Sequence, residues 1–151
     1  MLKGVRLGKW ERLVLKIGAE AKAQGEEWAT LNGRHYLVVD WVAIRRSFHR
    51  VQELGLVESL GTLFSRLFRG PLGSGFGEWS KEFREEYERL HRIRCRYRTT
   101  LIFKRYGNTH GMDYNPIIFR FTDNGQRLWD EYGPAIASGE RIRWGKPPAK
   151  V

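Results

Sequence analysis

The chain has 151 residues, 41% of them hydrophobic, which suffices for one ordinary core and does not call for two independent domains. Its 27 Lys and Arg against 17 Asp and Glu leave a formal net charge of +10, a balance that favours polyanionic partners: nucleic acid, a membrane surface or an acidic protein. No apolar run approaches the roughly 18 to 20 residues needed to cross a bilayer, and residues 1–16 lack a signal-peptide core, so a cytoplasmic protein without membrane association is expected.

Residues 9–24 read as a first helix, with Trp10, Leu13, Val14, Ile17 and Ala21 on one side and Gly25 as terminator, although Gly18 weakens it. The Asn32-Gly33 pair lies between β-prone runs and predicts a hairpin of 28–31 with 35–38. A helix over about 41–54 follows, capped by Asp40 and ended by Gly55. Trp41, Ile44, Phe48, Val51 and Leu54 form its packing stripe, and Arg45, Arg46, Ser47, His49, Arg50 and Gln52 fall largely on the remaining surface. Leu56 and Val57 return to β-prone character.

From 61 to 77 glycines punctuate Leu63, Phe64, Leu67 and Phe68, the texture of an inserted loop. A charged helix over 78–92 carries Trp79, Phe83, Tyr87 and Leu90 on a narrow stripe. Next, Ile93, Cys95, Tyr97, Thr99, Leu101 and Phe103 alternate with Arg94, Arg96, Arg98, Thr100 and Lys104, which predicts a long half-buried strand bearing an arginine ladder. A polar loop over 107–115 leads to a second strand, 117–121, returning beside the first. Thr122 caps a last helix containing Leu128, Trp129 and Tyr132, which Gly133-Pro134 ends. The expected organisation is one domain over 1–136 with an insertion at 61–92, and a basic, disordered tail over 137–151.

Cys95 is the only cysteine and, on the inward face of its strand, reads as an inert core thiol. His35, His49, His91 and His110 lack ligand spacing, so no metal and no small-molecule cofactor are implied. The sequence has no phosphate-cradling glycine turn, nucleophile elbow or metal-binding His-Glu helix, and no enzymatic role is expected. Trp10, Trp41, Phe48, Tyr97, Phe103, Phe119, Phe121 and Trp129 sit on apolar sides of their elements and read as core.

The order helix, short β element, helix ending in Gly-Leu-Val, strand, loop, strand, helix resembles the winged helix-turn-helix DNA-binding domain of transcriptional regulators. Residues 44–58 (IRRSFHRVQELGLVE) resemble its recognition helix and exit, and 119–129 (FRFTDNGQRLW) resemble the end of its wing. The family also has a helix just before the recognition helix, where 27–40 here carries the hairpin signal, and it passes to the wing without an intervening segment such as 60–92.

The resemblance implies an α+β, winged-helix-like fold with a small antiparallel sheet, and a double-stranded DNA-binding regulator working as a homodimer or a monomer. The 41–54 helix would enter the major groove, where Arg45, Arg46 and Arg50 can reach phosphates or guanine edges and Ser47, His49 and Gln52 supply shorter contacts. The wing, about 94–121, would lay Arg94, Arg96, Arg98, Lys104 and Arg105 along the backbone, with Asn108 or His110 at a minor groove. The competing readings are a solvated helix face, and arginines paired with Glu82, Glu85, Glu86 and Glu88. An adaptor binding an acidic protein, and a nonspecific RNA or packaging protein, remain as alternative functions.

Overall fold

The computed structural model describes residues 5–70, 79–142 and 144, and at Asp113 the backbone alone. The chain divides into two compact units, Met1–Glu58 with Phe119–Val151, and Ser59–Ile118, the second inserted within the first. The fold is α+β, with a winged-helix-like arrangement.

The first unit begins with α1 (Lys9–Ala23), which turns Val14, Leu15 and Gly18 into the core and ends before Gly25 at φ +80°. Gly18 lets α1 approach the sheet, since a Cβ there would lie 3.1 Å from the Phe121 ring and 3.3 Å from that of Phe119. After β1 (Ala29–Leu31), Asn32 accepts a hydrogen bond from the Arg34 amide and caps a single 3-10 turn, Gly33–His35. The expected hairpin is therefore absent: local Asx capping outcompetes the Asn-Gly β-turn at this site.

Helix α2 (Val38–Glu53) follows, entered from Leu37 with Asp40 inside its first turn rather than at its cap. Ile44, Phe48 and Val51 form its buried stripe, and Gly55 at φ +74° terminates it as the sequence indicates. Strand β2 (Val57–Ser59) leaves at once, and β5 (Ile117–Phe121) lies between β1 and β2 in a three-stranded sheet of order β1-β5-β2. Phe119 meets Phe48 edge to face at 5.4 Å, and burying such a ring contributes about 1.5 to 3 kcal/mol. On β5, Arg120 donates to Glu58 (2.7 Å) and Glu27 (3.1 Å) and lies over the Trp28 ring, so one side chain ties the central strand to both neighbours' ends.

Thr122 caps α5 (Asp123–Ser138) by accepting from the Gly125 amide. Gly133-Pro134 does not end this helix, which continues to Gly139 at φ +77°. Burial of Tyr132, Gly133, Ala135 and Ile136 outweighs the proline's cost of about 3 kcal/mol. Arg12 donates to the Ala135 and Glu140 carbonyls, satisfying acceptors that a helix end leaves open. Residues 137 and 138 thus belong to a helix and not to the expected tail; of the rest of that tail, 139–142 and 144 follow the helix without regular secondary structure, and 143 and 145–151 lie outside the described residues.

The second unit opens with α3 (Leu60–Arg69), capped by Ser59, where a glycine-punctuated loop was expected; the 71–77 portion of that segment, and 78 at the start of the expected next helix, lie outside the described residues. Ser80 caps α4 (Lys81–Tyr97), and Phe64, Phe68, Trp79, Phe83, Tyr87 and His91 make a continuous aromatic cluster between the two helices.

Helix α4 runs through residues expected to be strand. Arginines at alternate positions imitate a two-residue period, but Arg is a good helix former, and Leu90 and Arg94 continue the inward stripe of Phe83 and Tyr87. The strand β3 (Thr99–Arg105) starts only after Arg98, and β4 (Asn108–Tyr114) pairs with it antiparallel from Thr99↔Tyr114 to Arg105↔Asn108. Tyr106 and Gly107, at φ +53° and +79°, make the two-residue turn, with both central residues left-handed. The expected 107–115 loop is thus largely a strand, and 117–121 joins the other sheet.

Candidate nucleic-acid interface

Helix α2 is fixed to α1 by a charged contact and supported by a run of aromatic rings. Arg50 Nη1 donates to Glu11 Oε1 at 2.6 Å, and Glu11 is itself buried, 7% exposed. Burial pushes the Glu11 pKa up, but hydrogen bonds from Ser47, its own backbone amide and Arg50, with the charge of Arg50, outweigh it and hold the carboxyl below its ordinary range. Near the start of α2, Tyr36 stacks on Trp41 and meets Trp10 edge-on. The helix therefore presents a fixed outer face.

That fixation divides the six α2 residues singled out in the sequence. Arg50 and Ser47 are engaged with Glu11, and Gln52 has its Oε1 buried, without a hydrogen-bond partner among the described residues. Arg45, Arg46 and His49 are exposed, spaced so that they share one surface. The same stripe runs back through Val42, Val39 and Val38 to Leu37, all exposed, Val38 by 82%. Hydropathy alone assigns these residues to a core; what exposes them is that the inward stripe of α2 is already filled by Ile44, Phe48 and Val51.

In the second unit the arginine ladder does not exist. Arg94 and Arg96 are on α4; the Arg94 guanidinium lies 4.6 Å from the Phe64 ring centre and 3.1 Å from His91 Nδ1, and that of Arg96 lies 5.4 Å from the Tyr97 ring. Arg98 joins α4 to β3 and donates to Asn115 Oδ1 at 3.3 Å. Among the acidic residues proposed to pair with them, Glu86 instead holds Arg89 (2.6 Å) and Glu85 meets Lys81. The Arg89 hydrogen bond lowers the Glu86 pKa.

The β3-β4 hairpin is a two-stranded ribbon, and at its end Lys104, Arg105, Asn108 and His110 are all exposed. His110 pairs across the ribbon with Phe103, ring centres 5.6 Å apart and near parallel. Tyr106 at the turn is 90% exposed, with the Arg105 guanidinium 5.4 Å from its ring. Sequence reasoning left Tyr106 without a role and placed Phe103 in the core. The one sequence signal was Gly107, a turn residue following the β-prone run 99–105.

No three His, Cys, Asp or Glu gather as a metal site among the described residues. A cleft of about 560 Å³ beside the α5 C-terminus is lined by Arg6, Arg12 and Arg141 with Leu7 and Trp144, and among the described residues no carboxylate, histidine or thiol lines it. No described helix is long and apolar enough to cross a membrane. Compared with known proteins, the chain matches no family model, no curated protein and no solved structure.

Proposed function

We propose that the protein is a winged-helix-type double-stranded DNA-binding protein, a transcriptional regulator acting in the cytoplasm as a monomer or homodimer. The observation that carries this reading is the exposed row of Arg45, Arg46 and His49 on a helix whose inner face is clamped by Glu11. Exposed guanidinium groups on a fixed helix suit guanine O6 and N7 in a major groove, and the methyls of Val38, Val39 and Val42 suit thymine methyl groups beside them. Lys104, Arg105, Asn108 and His110 supply a second, backbone- or minor-groove-directed contact. No cofactor enters this reading, and neither does catalysis.

Selection from a random duplex pool at about 150 mM salt tests it, because nonspecific phosphate binding is already weakened there. One enriched motif is expected, with Arg45→Ala/Arg46→Ala abolishing enrichment at unchanged thermal stability. Binding without enrichment would replace this reading with a nonspecific nucleic-acid protein. Arg50 is excluded from the variant because its loss disturbs the scaffold.

A second reading, the protein adaptor, is favoured by one observation: Leu37, Val38, Val39 and Val42 form an exposed apolar stripe. Under it, Val39→Ser/Val42→Ser abolishes partner capture while duplex DNA is ignored.

A further inference from the structure

We propose that the tip of the β3-β4 hairpin is a stacking site for unpaired DNA bases, so that the protein binds a duplex bearing an unpaired tail more tightly than a blunt one. The inference rests on the duplex-binding reading of α2 for the class of nucleic acid and adds a separate site to it.

Tyr106 occupies a left-handed position, φ +53°, where Asn, Asp or Gly is conformationally cheaper, and its ring is almost wholly in solvent. A core role does not explain a large aromatic there, and the turn itself does not require one. Arg105 lies beside that ring, and further along the ribbon Phe103 and His110 form a near-parallel pair on the strand face that also carries Arg105 and Asn108.

Two ring platforms are thus combined with the exposed cations of Arg105 and Lys104 on one two-stranded ribbon. That is the chemistry single-stranded nucleic acid requires: π faces for successive bases and positive charge for the phosphates between them. A continuous duplex keeps its base faces stacked on one another, and only an unpaired base offers Tyr106 a free face. The protein's +10 net charge supplies the attraction that brings the strand to the tip.

The test uses the full chain and three labelled DNAs at about 150 mM salt: a blunt duplex, the same duplex with an unpaired thymine tail, and the tail alone, read by fluorescence anisotropy. The wild type should bind the tailed duplex about tenfold more tightly than the blunt one. Tyr106→Asn keeps an Asn-Gly pair suited to the turn while removing the ring, and should bring the tailed duplex down to the blunt-duplex affinity without changing the latter. Arg45→Ala/Arg46→Ala should weaken both duplexes by the same factor and leave their ratio intact. If that variant binds blunt duplex normally while the tail preference persists, the helix reading fails and the hairpin inference stands. Equal wild-type affinity for the two duplexes, retained preference in Tyr106→Asn, or no binding to any of the three would overturn the inference.

Discussion

Gly125 and the carbonyl of Leu56 are in such close approach that a Cβ on residue 125 would lie 1.8 Å from the Leu56 oxygen. The Thr122 amide donates to that same oxygen at 3.1 Å, and the Thr122 hydroxyl donates to the Gly55 carbonyl while accepting from the Gly125 amide. The start of α5 is therefore locked onto the turn that ends α2, and the obstructing atoms of Leu56 are all backbone, which cannot rotate away. Gly125→Ala should cost about 3 kcal/mol or more despite alanine's better helix propensity, lowering the melting temperature by roughly 10 °C. Gly61→Ala, in a helix where the added methyl meets only Ser59 Oγ at 3.9 Å, should instead stabilise by about 0.5 to 1 kcal/mol. Paired thermal melts read both, and two changes of the same sign would show that the approach at Leu56 is not the controlling contact.

The Glu11 contact makes stability depend on acid. Because its folded carboxyl titrates below the ordinary glutamate range, the contact is fully present above that range and is lost as pH falls through the folded value. Urea midpoints should therefore fall from about pH 5 downward, and Glu11→Gln should lower stability near neutrality and flatten this acid limb. Arg50→Ala should cost about 1 to 2 kcal/mol, a figure held down by the half-exposed position of the arginine. An acid limb unchanged in Glu11→Gln would remove the clamp from the account of how α2 is held.

The two segments that carry the winged-helix resemblance, residues 44–58 and 119–129, meet at Gly55, Leu56, Thr122 and Gly125, although the whole of 59–118 separates them in the chain. Their local chemistry was legible: a glycine at left-handed φ, a threonine cap, and a helical stripe of Ile44, Phe48 and Val51 each follow from the residues themselves. What failed was period and partner. Alternate arginines satisfied a strand pattern while Phe64 and the α4 aromatics held Arg94 in a helix, and the partner of β5 is set by long-range packing that no local signal encodes. The candidate site divided in the same way. Periodicity identified Arg45, Arg46 and His49 as outward-facing, but not the burial of Gln52 Oε1 or the exposure of Val38, Val39 and Val42, and the recruitment of Ser47 and Arg50 depended on a glutamate 36 and 39 residues earlier. The hairpin tip was obscured because Tyr106 is an unusual residue for a left-handed turn position.

Cys95 gives an independent check on the helical course of α4. On the expected strand its thiol would face the core, whereas on the helix it is exposed, with Sγ 3.4 Å from His91 Nε2. A thiol in the core reacts only when the fold opens, so reactivity in buffer reports which element carries it. The folded protein should take up one equivalent of maleimide without denaturant, and Cys95→Ser should change stability by no more than about 0.5 kcal/mol, as expected for a surface site. Labelling that begins only once urea unfolds the chain would return Cys95 to the interior and, with it, residues 93–97 to a strand.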